Sequence, residues 1–170
     1  MIIKRIVVPV DFSRPSLKAL EYAIEFGRLH KAELIVVYVI EPMNYAVPRL
    51  LPEPTVLLED QRRVAAKSLS RLEAGIRKRY PNCRTEVHFG VVYQTIIEVA
   101  KRLKADLIVI ATLGRTGLSH LMIGSVAERV VRGATCPVLT VRAVAPKLPT
   151  GKTRRASDPH KAASRRPRTS

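Results

Sequence analysis

Apolar runs of strand length recur along the chain with helical patterns between them, which predicts an alternating α/β domain with mostly parallel strand pairing. Five runs carry the signal: Ile2–Val10, Glu33–Ile40, Arg84–Phe89, Asp106–Thr112 and Pro137–Arg142. Leu34–Ile40 and Leu107–Ile110 are apolar throughout, as strands buried on both faces must be, and belong in the middle of a sheet. Arg84–Phe89 instead alternates, with Thr85, Val87 and Phe89 on one face and Glu86 and His88 on the other, so it belongs at an edge.

Between the strands, Pro15–His30 puts Leu17, Leu20, Ile24 and Gly27 on one stripe and Lys18, Glu21, Glu25 and Arg28 largely off it. Ser13, with Pro15 just inside, supplies the start signal. A second helix over 55–79 turns Ala65, Leu69, Leu72 and Ile76 inward and Arg62, Arg63, Lys67, Arg71, Arg77 and Lys78 outward, most simply as a solvated face. Thr95–Leu103 and Ser125–Arg132 complete four helices. The proline-punctuated stretch Glu41–Pro54 is longer than the usual connection of about 4–6 residues and reads either as a cover for a site or as a plain insertion.

At 170 residues with 46% hydrophobic and only 5% aromatic content, one domain fills its core with Ile, Val, Leu and Ala. No apolar run approaches the roughly 18 residues of a membrane span and no signal peptide is visible at the start, so the expected location is the cytoplasm. Cys83 and Cys136 lack C-x-x-C or Cys/His spacing and read as packing thiols, and the four histidines form no metal constellation. The net charge is +16, but from Lys147 onward eight Lys/Arg stand against Asp158 alone, so +7 of it lies in the last 24 residues. This gives a domain over 1–144 and a basic, disordered tail over 145–170. Without aromatics to stack on bases, the tail reads as solvated in preference to a dedicated contact with nucleic acid or another polyanion.

The chemistry concentrates in Ala111-Thr-Leu-Gly114-Arg115-Thr-Gly117-Leu-Ser-His120-Leu-Met-Ile-Gly124-Ser125, which joins a strand to the helix-starting pattern Ser125-Val-Ala-Glu128. A glycine-punctuated strand-to-helix turn offers an anion close backbone approach, unpaired N–H groups and the positive end of a helix dipole. Ser125 with Glu128 is equally a capping box, which would start a helix with no ligand present. In open α/β sheets ligands sit beyond the carboxyl ends of the strands where strand order reverses. If the first and fourth strands are neighbours, Pro9, Val10 and Asp11 share that crevice with the glycine loop; Asp11 could instead only cap the helix that follows. Arg115 is the one cation of the loop, and His120 has no partner in sequence that would make it a base. Neither G-x-x-x-x-G-K-[ST] nor G-x-G-x-x-G after the first strand is present, so P-loop and dinucleotide readings fail.

Ile6-Val-Val-Pro-Val-Asp11-Phe-Ser13, Asp106-Leu-Ile-Val-Ile, Gly114-x9-Gly124-Ser125 and Cys136-Pro-Val-Leu-Thr-Val141, in that order, resemble the universal stress protein family over about the first 142 residues. The resemblance implies an open five-stranded parallel sheet of order 3-2-1-4-5 with helices on both faces, a homodimer through the last strand (Pro137 to Val141), and, in one branch, ATP bound by G-x-x-G-x9-G-[ST]. Carried over by position, Asp11 would sit by the ribose, Val39 and Ile110 near the adenine, and Gly114, Gly124, Ser125 and Val126 around the phosphates. Mg²⁺ would accompany those phosphates without a carboxylate cage of its own. The first glycine of the pattern is Ala111 here, whose methyl either narrows the pocket or is harmless on extended backbone, and Leu113 stands where many relatives carry a polar residue. The expected function is an ATP-binding regulatory module of the stress response. The alternatives are a nucleotide-free dimer acting through its basic tail, or a slow ATPase or phosphotransferase that lacks an obvious base in its loop.

Overall fold

In the computed structural model, which describes residues 2–41, 54–112 and 123–142, five strands form one parallel sheet with helices on both faces. The elements are β1 (Arg5–Pro9), α1 (Arg14–His30), β2 (Glu33–Ile40), α2 (Pro54–Arg77), β3 (Cys83–Phe89), α3 (Val92–Arg102), β4 (Leu107–Ala111), α4 (Ser125–Gly133) and β5 (Val138–Val141). The strand order is β3-β2-β1-β4-β5, as the resemblance implies. The chain builds outward from β1 to β3, then crosses back to lay β4 against the other side of β1, with Ile6 opposite Leu107 and Val7 opposite Ile108. That reversal makes the gap between β1 and β4 the topological switch point. The stretch 42–53, Gly114, Arg115, His120 and the basic tail lie outside the described residues.

Side-chain alternation along the buried strands divides the core in two. Ile6, Val8, Leu34, Val36, Leu107 and Val109 face α1 and α2, where they meet Leu20, Ile24, Leu69 and Ile76. Val7, Ile35, Val37, Ile108 and Ile110 face α3 and α4, where they meet Ile96, Val99, Ala127 and Val130. β3 lies at the edge, as its alternation predicts, and its polar face carries a charge network. Arg84 bonds Glu33 (2.7 Å) and Glu86, and Glu86 also receives His88 (2.8 Å) and Arg102 (2.9 Å). Burial alone would raise the Glu86 pKa, but the hydrogen bonds from His88, Arg84 and Arg102 outweigh it and hold the carboxyl below its ordinary value.

Local chemistry explains most boundaries. Ser13 caps α1, its side chain accepting the Ser16 amide at 3.3 Å, with Pro15 in the first turn. Gly27 brings α1 against the Tyr80 ring, where an added Cβ would lie 3.0 Å away, and the Tyr80 hydroxyl reaches the carbonyls of Gly27 (3.0 Å) and Ala32. Asp106 is not the first residue of β4; its Oδ2 accepts the amides of Lys4 (2.8 Å) and Arg5 (2.9 Å) and ties β1 to β4. α3 starts at Val92, three residues before the position predicted from sequence, because Thr95 is already helical, its amide bonded to the Val91 carbonyl at 2.9 Å. The β-branched pair Val91-Val92 masks that start, and tertiary packing overrides its propensity. Cys83 is buried at the start of β3 and Cys136 is half-buried before β5; both are free thiols, and burial raises the pKa of each. Among the described residues no helix is long and apolar enough to cross a membrane.

Candidate functional site

A cavity of about 940 Å³ opens at the carboxyl ends of β1, β2 and β4, over the switch point, within the size range of small-molecule sites. Pro9, Val10, Asp11, Val39, Ile110, Ala111, Gly124, Ser125 and Val126, singled out from the sequence, all line it. Gly114 and Arg115 lie outside the described residues.

Each segment reaches the cavity for a local reason. Val10 leaves β1 with its amide on the Val37 carbonyl (2.9 Å), and the next two residues turn sharply. Phe12 adopts φ 61, a left-handed conformation that is an outlier for an aromatic residue and costs on the order of 1–3 kcal/mol. Two contacts hold it there. The Asp11 carboxylate accepts the Ser13 amide at 2.9 Å, spanning the kink, and the Phe12 ring packs on Tyr38 with centroids 5.1 Å apart. Asp11 therefore braces the turn without capping α1, which Ser13 does, and it lines the cavity as well.

On the other side of the switch point, Thr112 continues β4 by donating its amide to Val141 (2.9 Å), and its carbonyl receives the Gly124 amide at 2.6 Å. That bond seats the start of α4 at the cavity mouth. Here the capping-box expectation is corrected. Gly124, at φ −61 and ψ 149, is the N-cap, Ser125 is the first helical residue, and no side chain caps the helix. With the Gly124 carbonyl already accepting the Glu128 amide (3.0 Å), the Glu128 side chain pairs forward with Arg132 at 2.9 Å instead of reaching back. The α4 N-terminus thus presents the amides of Ser125, Val126 and Ala127 without a side-chain acceptor among the described residues.

Ala111 is the last residue of β4, opposite Val141 in the ladder, and is not among the residues with positive φ. Its backbone is extended, so the alanine carries no conformational penalty where the family pattern has glycine. The residue is 8% exposed and forms part of the cavity wall.

Val39 and Ile110 fall in one apolar cluster with Ile96 and Val92, on the α3 and α4 side of the sheet. The opposite wall was not found from sequence. Asp60, Gln61, Val64, Ala65 and Ser68 of α2 close that side, and Glu41 follows β2 at the rim. Only Ala65 of these belongs to the inward stripe of α2; Val64, 64% exposed, was the available signal, an apolar side chain off that stripe. The carboxylates of Asp11, Glu41 and Asp60 share the lining, and Asp60 pairs with Arg63 at 2.8 Å. Among the described residues no cluster of three or more His, Cys, Asp or Glu is placed to hold a metal ion.

A doubly wound parallel α/β protein with a crevice at its switch point and an open helix N-terminus in that crevice is the class this architecture defines. The sequence model of the Universal stress protein family matches residues 3–142, and the chain belongs to that family. It is 37% identical over 147 residues to a universal stress protein of Methanocaldococcus jannaschii, covering 82% of each chain. It is 35% identical over 140 residues to the universal stress protein A homolog 1 of Coxiella burnetii, covering 81% of this chain and 95% of that one. The universal stress protein UspA from Lactobacillus plantarum superimposes with a TM-score of 0.74 at 29% identity, over 84% of this chain and 99% of that one. The universal stress protein from Archaeoglobus fulgidus, solved in complex with dAMP, superimposes with a TM-score of 0.56 at 27% identity, over 82% and 98%.

Proposed function

We propose that the crevice binds an adenine nucleotide, ATP foremost, and that the protein acts in the stress response as a nucleotide-binding regulatory module. The observation that carries this reading is the convergence on one cavity of the bare α4 N-terminus, an apolar slot and an acidic side chain. Backbone amides and the positive end of a helix dipole stabilise phosphate. Val39 and Ile110 offer an apolar contact for the base, and Asp11, on the same lining, offers a carboxylate that can accept from a ribose hydroxyl. The dAMP complex of the related A. fulgidus protein supports the same ligand class.

ATP supplies a triphosphate, and Mg²⁺ would accompany those phosphates; among the described residues no carboxylate cage is placed to hold it. The chain's part is to bind and orient; Asp11, one of the acidic residues lining the crevice, already accepts the Ser13 amide. We assign the module to residues 1–144, place it in the cytoplasm, and pair it as a homodimer through Pro137 to Val141. β5 is an edge strand of four residues without a charge, and an apolar edge is an aggregation hazard unless a second chain covers it.

The test is calorimetric titration of ATP into wild type and Gly124→Val. Wild type should bind, and the variant, with a branched side chain at the helix cap, should lose at least about tenfold in affinity. Equal heats for both proteins, or none for either, refute the assignment. A monomeric mass at micromolar concentration refutes the dimer.

A further inference from the structure

We propose that a second, smaller recess beside α4 receives the far end of the nucleotide's phosphate chain, and that Arg129 there makes the site prefer a triphosphate to a monophosphate. This rests on the adenine-nucleotide reading of the main cavity. The recess, about 150 Å³, is lined by Glu41, Val91, Val92, Tyr93, Ser125, Val126 and Arg129, and it shares Glu41, Val92, Ser125 and Val126 with the main cavity. The two are therefore adjoining, with the start of α4 as their common wall.

Arg129 follows Ser125 by four residues, so both side chains lie on one face of α4, and both line the recess. Its guanidinium rests over the Tyr93 ring, 4.9 Å from the centroid. A guanidinium stacked on a ring keeps its in-plane N–H donors available for a phosphate. Among the described residues Arg129 makes no ion pair, whereas Arg132, one turn nearer the C-terminus on the same helix, is neutralised by Glu128 at 2.9 Å. The α4 amides and the Arg129 guanidinium thus form two donor groups on the wall of one recess, the Arg129 backbone lying one helical turn, about 6 Å of rise, beyond Ser125. A monophosphate satisfies the first; a longer phosphate chain reaches the second. Glu41 lines both spaces and repels whatever anion enters the recess, so the two residues set opposing charges on the same phosphate.

The experiment compares ATP and AMP by calorimetry, with divalent ions chelated, on wild type, Arg129→Gln, Arg129→Lys, Glu41→Gln and Arg132→Gln. Arg129→Gln should weaken ATP about five- to tenfold and leave AMP within about twofold, with Arg129→Lys intermediate. Glu41→Gln should tighten ATP more than AMP, and Arg132→Gln, the same charge change outside the recess, should alter neither. Wild type that binds ATP and AMP while Arg129→Gln shifts both equally, or shifts neither, overturns the recess assignment and leaves the main cavity standing. Wild type that binds no adenine nucleotide overturns both.

Discussion

At the amino ends of the strands, side chains fasten the turns. Asp106 gathers the amides of Lys4 and Arg5, Arg5 reaches the Leu103 carbonyl at 2.7 Å, and the Tyr80 hydroxyl spans the exit of α1. At the carboxyl ends of the same strands, α3 and α4 begin without a side-chain cap and a large cavity separates the helices. Positive φ occurs at both ends, with different consequences. At Lys31 and Lys104 it closes a helix with a backbone hydrogen bond, to Gly27 and Lys101 respectively, whereas at Phe12 it turns the chain away from the sheet and shapes a cavity wall. Side-chain clasps hold the amino end, whereas at the other end α3 and α4 leave their first amides uncapped, and the two ends should respond differently to substitution.

The largest effect belongs to Asp106→Ala, which strips the acceptor from two backbone amides. It should cost about 2 kcal/mol, read as a lower urea midpoint at unchanged slope, with ATP affinity preserved. A matching loss of affinity would show that the two ends are coupled. Tyr80→Phe removes the buried hydroxyl from the Gly27 and Ala32 carbonyls, of which Gly27 keeps the Lys31 and Ala32 amides, and should cost about 1–1.5 kcal/mol by the same measurement, again without effect on binding. At the open end, Ala111→Gly restores the glycine of the family pattern. On extended backbone it should lower stability by about 0.5–1 kcal/mol and leave ATP affinity within about threefold. A gain beyond tenfold would mean that the alanine methyl obstructs the ligand.

The smallest effect concerns the β3 edge, away from both ends. Glu86 has a folded-state pKa below its unfolded one, so its contribution is complete above about pH 4.3, the unfolded value, and is lost as pH falls through the lower folded value. Glu86→Gln should therefore lower stability at pH 7 by about 0.5 kcal/mol, a figure discounted for solvent screening, and the gap to wild type should close on acidification below about pH 4. A gap that persists at pH 3 would assign the loss to packing.

The strands were readable because burial on both faces leaves a mark that only a parallel interior strand needs, as in Leu34–Ile40, and because alternation in Arg84–Phe89 disclosed an edge. Strand order was not readable from the pattern itself, since apolar runs do not name their neighbours; it came with the resemblance. The sequence also brought nine lining residues together in one place, because strand ends and a helix start carry recognisable backbone chemistry. What escaped notice depends on tertiary geometry. The α2 wall rests on side chains such as Gln61 and Ser68 that no local rule distinguishes from surface, and the kink at Phe12 is imposed by neighbours on a residue with no intrinsic taste for it. The helix starts at Ser125, as its pattern predicts, but a Ser-x-x-Glu pattern does not settle the cap, since it fits equally well when the preceding glycine takes that place and the serine lines the cavity.

The central place of β1 also bears on how the protein is born. Its second partner, β4, lies about a hundred residues downstream, so on the ribosome one flank of an apolar strand waits for roughly 5–20 seconds of elongation before its mate emerges. During that interval the nascent chain is a template for wrong pairings, and a chaperone that shields the flank, or slower unfolding once the sheet has closed, matters more to its yield than the depth of the finished energy well.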